Sequence, residues 1–351
     1  MGQNGALTSE IPTNAVCPET PQQLAEALRA CAAEHRTIRL GGRFSKDRLG
    51  GRPLSAAATV STRAMDRVLK YDPRDLTVSV EAGMPWADLE RTLRKHRQML
   101  PLDPGWPEST VGGVVAANVS GPRRRLYGTA RDMVIGMTFA TLEGKLVDSG
   151  GMVVKNVAGL DMAKLMIGSF GTLAGIATVN FKVFPLPAES RTFVFEFETA
   201  AEAFAQRDRI LQSVLQPAAL DIVNWPAGFR LLVQATGSRR VVDRYARELA
   251  GAKIEDESIW CEVCQFTPRF LAANPQGGVI PMVSKLSEMA AIADSLKAPF
   301  IARAASGVIY AHYARNAPEV ELGAGFEVMT KVKDMFDPER LLNRGRLYGR
   351  I

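Results

Sequence analysis

The amino-acid sequence predicts an α+β protein of two unequal parts. The first half alternates short strands with amphipathic helices, and a run of small residues interrupts it at positions 107–121. The second half shows the order strand, helix, two strands, helix, which is typical of a ferredoxin-like unit. A length of 351 residues suits about two domains.

The composition excludes several classes of protein. With 46% hydrophobic and 23% charged residues, the chain is ordinary globular material. No stretch approaches the ~18–20 apolar residues of a membrane span, and residues 1–11 lack the apolar core of a signal peptide. We therefore expect a cytoplasmic protein. Its net charge of +6 favours acidic ligands, but the basic residues are scattered, apart from the arginines at 123–125, so no nucleic-acid partner is expected.

The sequence predicts no metal site. Cys261 and Cys264 have C-x-x-C spacing, but a zinc site or an iron–sulfur cluster needs about four ligands and there is no second pair. We interpret them as inert thiols, with a redox disulfide as the alternative. The histidines, His35, His96 and His312, lie far apart in the sequence.

The elements of the first half follow from capping, periodicity and turn signals. Thr20 caps a helix whose apolar residues recur at helical spacing, and a strand at 37–40 ends in a glycine-bearing loop. The remaining predictions are strands at 67–71 and 77–81, a helix at 85–97, a hairpin at 133–148 and a helix at 161–167.

The second half is predicted in the same way, as two similar units. The first has strands at 192–198, 219–224 and 230–235 and helices at 200–215 and 241–249. The second has strands at 278–285, 299–304 and 307–313, with a helix ending at 296. A last helix is predicted at 318–335.

The run from Pro107 to Gly121 predicts a phosphate site. Glycines at 112 and 113 allow the backbone to approach a ligand closely, and successive main-chain N–H groups make an anion-binding concavity. Thr110, Asn118 and Ser120 add side-chain donors. The alternative is a tight surface loop that needs glycine only for its turn geometry.

The loop that follows the first strand, Gly41 to Lys46, predicts a second anion contact. Arg43 and Lys46 supply cations, and Ser45 supplies a donor. The spacing G-x-G-x-x-G and the P-loop pattern are both absent, so Rossmann and P-loop sites are excluded. The alternative is a simple turn at the end of a strand.

Several motifs in one order resemble a known family. They are residues 100–104, 109–128, 155–161, 168–173, 181–187 and 336–346. The set is similar to flavoproteins of the vanillyl-alcohol-oxidase type, which have a p-cresol-methylhydroxylase-like (PCMH-type) FAD-binding domain. In particular it resembles the FAD-binding subunits of bacterial glycolate oxidases.

The resemblance implies three regions. Residues 1–188 would form the PCMH-type FAD-binding domain, with two α/β subdomains that divide near residue 55. Residues 189–318 would form a ferredoxin-like α+β cap that selects the substrate. Residues 319–351 would form a C-terminal helix and tail that return to the FAD-binding domain.

The resemblance also implies which residues bind FAD. The two glycine loops would hold the pyrophosphate, with further residues at the flavin and nucleotide ends. The full set is Gly41, Gly42, Arg43, Phe44, Ser45, Lys46, Pro104, Thr110, Val111, Gly112, Gly113, Asn118, Ser120, Gly121, Gly175 and Ile176. Family members with covalent flavin often carry a histidine in the first loop, and this loop has none, so the FAD is expected to be non-covalent.

The implied function is oxidation of glycolate, or a similar 2-hydroxy acid, within a complex. Expected partners are a larger FAD-binding subunit and an iron–sulfur subunit, through which the chain could lie at the inner face of the membrane. The alternatives are a stand-alone FAD-dependent hydroxy-acid or alcohol dehydrogenase and a non-catalytic assembly subunit.

The sequence does not identify the catalytic residues. A 2-hydroxy acid needs a cation for its carboxylate and a base for its hydroxyl. Arg303, His312, Arg315 and Lys285 are candidates, although a lone histidine in a strand is more often structural. Related dehydrogenases use a metal-binding histidine cluster, which this sequence lacks, and this suggests that the catalytic flavin lies in a partner subunit.

Overall fold

The computed structural model describes residues 12–152, 161–319, 323 and 325–351. The sequence motif at 155–161 therefore lies outside the described residues, except for Asp161. The N-terminal residues 1–11 lie outside them as well.

The first part of the chain contains the following elements. They are α1 (Pro21–Ala33), β1 (Ile38–Gly41), β2 (Ala58–Ser61), β3 (Val68–Asp72), β4 (Thr77–Glu81), α2 (Trp86–Arg94), β5 (Gln98–Met99), α3 (Val111–Ala116), α4 (Arg124–Tyr127), α5 (Ala130–Met133), β6 (Val134–Ala140), β7 (Leu146–Gly150), α6 (Met162–Met166), β8 (Gly175–Lys182) and β9 (Phe184–Pro185), with a 3-10 turn at Thr62–Ala64.

These strands form one main sheet and two small pairs. Strands β3, β4, β8, β6 and β7 follow one another in a five-stranded antiparallel sheet, β1 pairs with β2 in parallel, and β5 pairs with β9. The predicted division near residue 55 falls in the connection between β1 and β2, which share main-chain hydrogen bonds, and it stays a prediction.

Helix α1 forms because its capping and its periodicity agree. The side chain of Thr20 accepts a hydrogen bond from the Gln23 N–H, and a proline occupies the first helical position. Leu24, Leu28 and Cys31 lie on one face and are buried in a core that also contains Val60 of β2. The helix therefore packs against the β1–β2 pair, and β1 leads into the first glycine loop.

The second part of the chain continues with these elements. They are β10 (Glu189–Phe197), α7 (Ala200–Gln212), β11 (Ala219–Val223), β12 (Phe229–Gly237), α8 (Arg239–Glu248), β13 (Lys253–Glu255), α9 (Ser258–Ala273), β14 (Gly278–Val283), α10 (Met289–Ser295), β15 (Phe300–Arg303), β16 (Val308–Tyr313), α11 (Gly325–Phe336) and α12 (Arg346–Gly349), with a 3-10 turn at Leu286–Glu288.

One seven-stranded sheet, which we call the cap sheet, contains all the strands from β10 to β16. Its order is β13-β10-β12-β11-β15-β16-β14, and every neighbouring pair is antiparallel. The first four strands, with α7 and α8, have the β-α-β-β-α-β topology of a ferredoxin-like unit, and β14, β15 and β16 with α10 form a shorter second unit. The predicted fold class is confirmed.

Helix α9 is an element that the sequence analysis missed. Ile259, Trp260 and Val263 pack on one face of the cap sheet, while α7, α8 and α10 cover the other. Its apolar face is interrupted by a polar C-x-x-C pair and by Pro268 inside the helix, which obscured the helical period. The helix lies against the first part of the chain: a Cβ on Gly105 would be 2.1 Å from the Cys264 carbonyl oxygen.

Candidate functional site

The two predicted glycine loops meet and line one cavity, here called the first cavity. A Cβ on Gly42 would lie 2.3 Å from the Thr110 Oγ1, so only glycine permits this approach. Residues of both loops line this cavity, together with Phe170 and Ile176. Glycine is thus required here for contact between the two loops.

The second glycine loop is more ordered than the sequence predicts. Thr110 caps the short helix α3 and accepts the Gly113 N–H at 3.3 Å. The N–H of Val111 donates to the Met84 carbonyl, and that of Gly112 donates to the Ala82 carbonyl. Since these N–H groups are already paired, the expectation that they form the anion concavity is corrected.

The first loop keeps donors available for an anion. The main-chain N–H groups of Arg43, Ser45 and Lys46 donate to no residue that the structure describes. Phe44 takes a left-handed φ of 53°. The Arg39 guanidinium stacks on its ring at 4.1 Å. The loop therefore reaches a glycine-like conformation without glycine.

Lys46 is the buried cation of the first cavity. Its Nζ donates to the Ser109 Oγ at 2.7 Å and to the Ser45 Oγ at 3.3 Å, and it contacts no carboxylate within the described ranges. Burial lowers the pKa of Lys46 to about 7. A desolvated ammonium beside available N–H groups fits a phosphate, whose charge would restore the ordinary pKa.

Arg43 lies at the mouth of the first cavity. Its Nη1 donates to the Glu108 carboxylate at 2.6 Å, and both side chains are close to half exposed. Because an exposed ion pair is largely screened by water, Arg43 contributes less than Lys46 to the field inside the cavity.

The C-terminal tail holds the first loop in place. Arg346 is buried, and its Nη1 donates to the carbonyls of Asp47 at 2.9 Å, Leu49 at 3.2 Å and Gly51 at 3.2 Å. Its Nη2 donates to the Asp47 carboxylate at 2.9 Å. One guanidinium therefore binds three main-chain carbonyls of the segment that follows Lys46.

Asn343 joins the same loop to the opposite wall. Its Oδ1 accepts the Leu40 N–H at 2.7 Å, while its Nδ2 donates to the carbonyls of Leu40 at 2.9 Å and Phe170 at 2.8 Å. Both loop-holding residues of the tail come from the motif at 336–346. The sequence analysis placed that motif near the FAD-binding domain but did not assign either residue to the site.

A second cavity, of about 400 Å³, continues from the first under the cap sheet. The two cavities share Ala117 and Phe170 in their walls. Asn118 and Ser120 line its floor, and strands β15 and β16 form its roof. The Ser120 Oγ is buried and has no hydrogen-bond partner in the part of the chain that the structure describes. An elongated ligand that fills both cavities would extend from the loops to the cap.

Two ion pairs lie beside the second cavity. Arg303 of β15 pairs with Asp221 of β11, and both side chains are buried. Arg123 pairs with Asp103, with its Nε 2.9 Å from Oδ2. Each pair cancels its own charge, so neither guanidinium carries a net charge into the cavity.

The other candidate catalytic residues lie away from both cavities. His312 is fully buried, and its Nε2 lies 2.8 Å from the Thr267 Oγ1. Burial lowers the pKa of His312 to about 4, so the ring is neutral and structural. Arg315 and Lys285 are exposed on the surface of the cap.

Most of the residues predicted to bind the cofactor line a cavity. In the first cavity these are Gly41, Gly42, Arg43, Phe44, Ser45, Lys46, Thr110, Gly112, Gly113 and Ile176, and in the second they are Pro104, Asn118 and Ser120. Val111, Gly121 and Gly175 line neither cavity. Gly121 is turned inward, with its N–H donating to the Leu102 carbonyl, and Gly175 packs against Leu24 and Leu28.

The cysteines and the possible metal ligands do not add a site. Cys261 is exposed on α9, while burial raises the pKa of the Cys264 thiol, which therefore stays protonated. Within the described residues, no group of three histidine, cysteine or carboxylate side chains could hold a metal ion. Among the helices that the structure describes, none is long and apolar enough to cross a membrane.

Comparison with known proteins agrees with this geometry. The chain is 29% identical to the glycolate oxidase subunit GlcE of Escherichia coli, over 94% of this chain and 98% of that protein. It is 31% identical to a D-lactate dehydrogenase of Anaerostipes hadrus and 28% identical to the glycolate oxidase subunit GlcD of Bacillus subtilis. The chain spans only 42% and 46% of those two longer proteins, and the matches cover 58% and 62% of this chain.

A solved structure of another protein has a similar fold. Alkyldihydroxyacetonephosphate synthase superposes with a TM-score of 0.71 at 19% identity, over 94% of this chain and 75% of that structure. Residues 12–150, which contain both glycine loops, match the model of the FAD binding domain family. The first part of the chain is therefore similar to the FAD binding domain family, and FAD is its cofactor.

Proposed function

We propose that this chain is the FAD-binding subunit of a glycolate oxidase complex. The observation that carries the proposal is the similarity to GlcE over nearly the full length of both chains. Within the complex, glycolate or a similar 2-hydroxy acid would be oxidised to the 2-oxo acid. Electrons would pass through flavin to an iron–sulfur subunit, beside a larger FAD-binding subunit of the kind to which GlcD belongs.

The residues of the first cavity would hold FAD without a covalent bond. Lys46 and the N–H groups of the first loop would bind the pyrophosphate, and Thr110 would close the opposite side. Ile176 lies where the nucleotide end would extend. FAD, when bound, supplies the group that accepts two electrons from the substrate.

The second cavity would hold the flavin end together with the substrate. Asn118 and Ser120 present polar groups from the floor, and residues 189–318 act as a cap whose sheet excludes water from above. We place the complex in the cytoplasm, or at the inner face of the membrane through partner subunits.

A second candidate is a stand-alone FAD-dependent hydroxy-acid or alcohol dehydrogenase. The similarity to a D-lactate dehydrogenase over 58% of this chain favours it. The similarity to GlcE extends through the cap as well, whereas the D-lactate dehydrogenase is much longer than this chain, and this supports the subunit assignment over the second candidate.

Reduction of the flavin by substrate tests the proposal. The chain is purified alone and with the two partner subunits, and glycolate or D-lactate is added without oxygen. We expect a yellow chain whose flavin is reduced by glycolate only when the partners are present. Reduction of the isolated chain would favour a stand-alone dehydrogenase. A colourless chain that nevertheless supports assembly would favour a non-catalytic subunit and contradict the proposal.

A further inference from the structure

The three consecutive arginines at 123–125 have three different environments. Arg123 pairs with Asp103, which lines the second cavity. Arg125 reaches outward, and its Nη2 donates to the Gln216 Oε1 of the cap at 2.9 Å. Arg124 lies between them and is half-buried in the wall of the second cavity. The run is therefore more than a solvated basic surface.

Arg124 is a cation of this cavity that forms no ion pair with any carboxylate among the described residues. Its side chain is in no ion pair and makes no hydrogen bond within the described part of the chain, unlike Arg123 and Arg303. The carboxylate in the cavity wall, Asp103, is already bound by Arg123. The described walls of the cavity consequently carry one net positive charge, located on Arg124.

The surroundings of Arg124 define the size and kind of ligand. Across the cavity lie the apolar side chains of Ile301 and Val308, which do not bind polar groups. On the floor, Ser120 offers a buried hydroxyl that has no partner in the described ranges. A cation and a hydroxyl opposite a small apolar wall fit a short monocarboxylate that carries a second polar group.

One charged residue of the cap, Asp221, lies within the electrostatic influence of Arg124. Asp221 of β11 is buried, and burial raises the pKa of its carboxyl, whereas Arg303 and Arg124 lower it. Arg124 therefore interacts electrostatically with a residue of the cap. A substrate held by Arg124 would lie between the floor of the FAD-binding domain and the cap.

We propose that Arg124 binds the carboxylate of the substrate and selects monocarboxylates over neutral alcohols. This inference rests on the proposed function, because it assigns a specificity residue to the same reaction. Arg124 moves no proton and transfers no electron; it holds and orients the carboxylate of the substrate in the second cavity.

Arg124→Gln tests the inference, with Arg125→Gln as the matched control from the same run. The FAD-loaded chain is titrated with acetate, which cannot be oxidised in this way, and with neutral acetamide, while the flavin spectrum is recorded. We expect Arg124→Gln to weaken acetate binding about 10–100-fold, with Arg124→Lys in between and acetamide unaffected. In the active complex, KM for glycolate should rise by a similar factor, with kcat changed less than about threefold.

Four outcomes separate the alternatives. Equal acetate binding by Arg124→Gln and the parent chain, or an equal loss in Arg125→Gln, would overturn the inference. A loss of FAD from Arg124→Gln would mean that the residue is structural, and would overturn it as well. If no 2-hydroxy acid reduces the complex but acetate still binds through Arg124, the proposed function fails while the anion site stands.

Discussion

The two cavities of this protein differ in how their walls are assembled. The first is built mainly from two short segments, residues 41–46 and 110–117, each contiguous in the sequence. The second takes its walls from the FAD-binding domain, from α9 and from three strands of the cap sheet. The first cavity, the proposed phosphate site, is therefore visible in the sequence as glycine loops, whereas the second, the proposed substrate site, forms only when the cap covers it.

The cavities also differ in how charge is used. The first contains a buried ammonium, Lys46, with no carboxylate partner in the described ranges. The second contains two neutralised ion pairs and one remaining cation. A buried charge attracts its ligand more strongly than a half-buried one, because water screens it less. The strong attraction suits a cofactor that stays bound, and the weaker one suits a substrate that must leave. The predictions below test this contrast.

The largest effect is expected at Gly113. A Cβ there would lie 3.2 Å from the Thr110 Oγ1 and 3.8 Å from the Lys46 Nζ, so a carboxylate at this position would compete with the phosphate for Lys46. At about 4 Å and an effective dielectric constant of about 20, two like charges cost about 4 kcal/mol. Gly113→Asp should therefore weaken FAD binding at least ~100-fold, as measured by fluorescence titration of the apo chain.

The control at this position is Gly113→Asn, which has the same shape without the charge. It should weaken FAD binding by no more than about tenfold. Gly112 is unsuitable for the test, because a Cβ there would lie 2.8 Å from the Ala82 side chain and would disturb packing directly. Equal loss of FAD in the two Gly113 variants would show that shape, and not charge, governs this loop.

A smaller loss is expected from Lys46→Met. Methionine keeps the apolar stem and removes the ammonium, so we expect a 10–100-fold weaker binding of FAD, by the ordinary strength of charge-assisted hydrogen bonds. The same titration measures it. Unchanged affinity in Lys46→Met would exclude the first loop as the pyrophosphate site.

The tail that holds the first loop should affect stability. Asn343→Ala leaves the buried N–H and carbonyl of Leu40 without partners, at about 1–3 kcal/mol for each group. We expect the free energy of unfolding in urea to fall by about 2–4 kcal/mol. Asn316→Ala is the matched control, because Asn316 is exposed and also has a positive φ, of 51°. It should cost about 1 kcal/mol, and an equal loss in both variants would assign the effect to backbone conformation alone.

The smallest effect is expected at Arg43. Because its guanidinium is half-exposed and paired with Glu108, Arg43→Gln should weaken FAD binding by no more than about threefold. The loss should shrink further as salt is added, since exposed charges are screened. A loss as large as that of Lys46→Met would mean that Arg43 turns inward when FAD binds.

The sequence predicted those features that local chemistry determines. The glycine loops, the cap of α1 and the two strand–helix repeats of the second half were found because capping, turn residues and periodicity act over a few positions. The short helix α3 was missed because its two glycines and β-branched residues are poor helix formers. Its formation depends instead on Thr110 as a cap and on packing against β4 and β8.

Features that depend on distant contacts could not be predicted. Arg346 and Asn343 reach the first loop from about 300 residues away, and no local pattern assigns either of them a partner. Arg303 was a reasonable candidate for binding a carboxylate until the structure paired it with Asp221. Arg124 lies in a run of three arginines to which the sequence assigns no partner, and only the position of the cap places it in a cavity.

Proton uptake on binding FAD tests the central claim most directly. The pKa of Lys46 is about 7 in the free protein, and a neighbouring phosphate raises it. Below about pH 7, Lys46 is protonated in both the free and the FAD-bound protein, so the affinity for FAD does not depend on pH. Above about pH 7, Lys46 takes up a proton when FAD binds, so the affinity for FAD falls as the pH rises. Calorimetric titration at about pH 8, in buffers of different ionisation enthalpy, should show uptake of up to one proton per FAD, absent in Lys46→Met. Equal uptake by both proteins, or none by either, would contradict a pyrophosphate bound at Lys46.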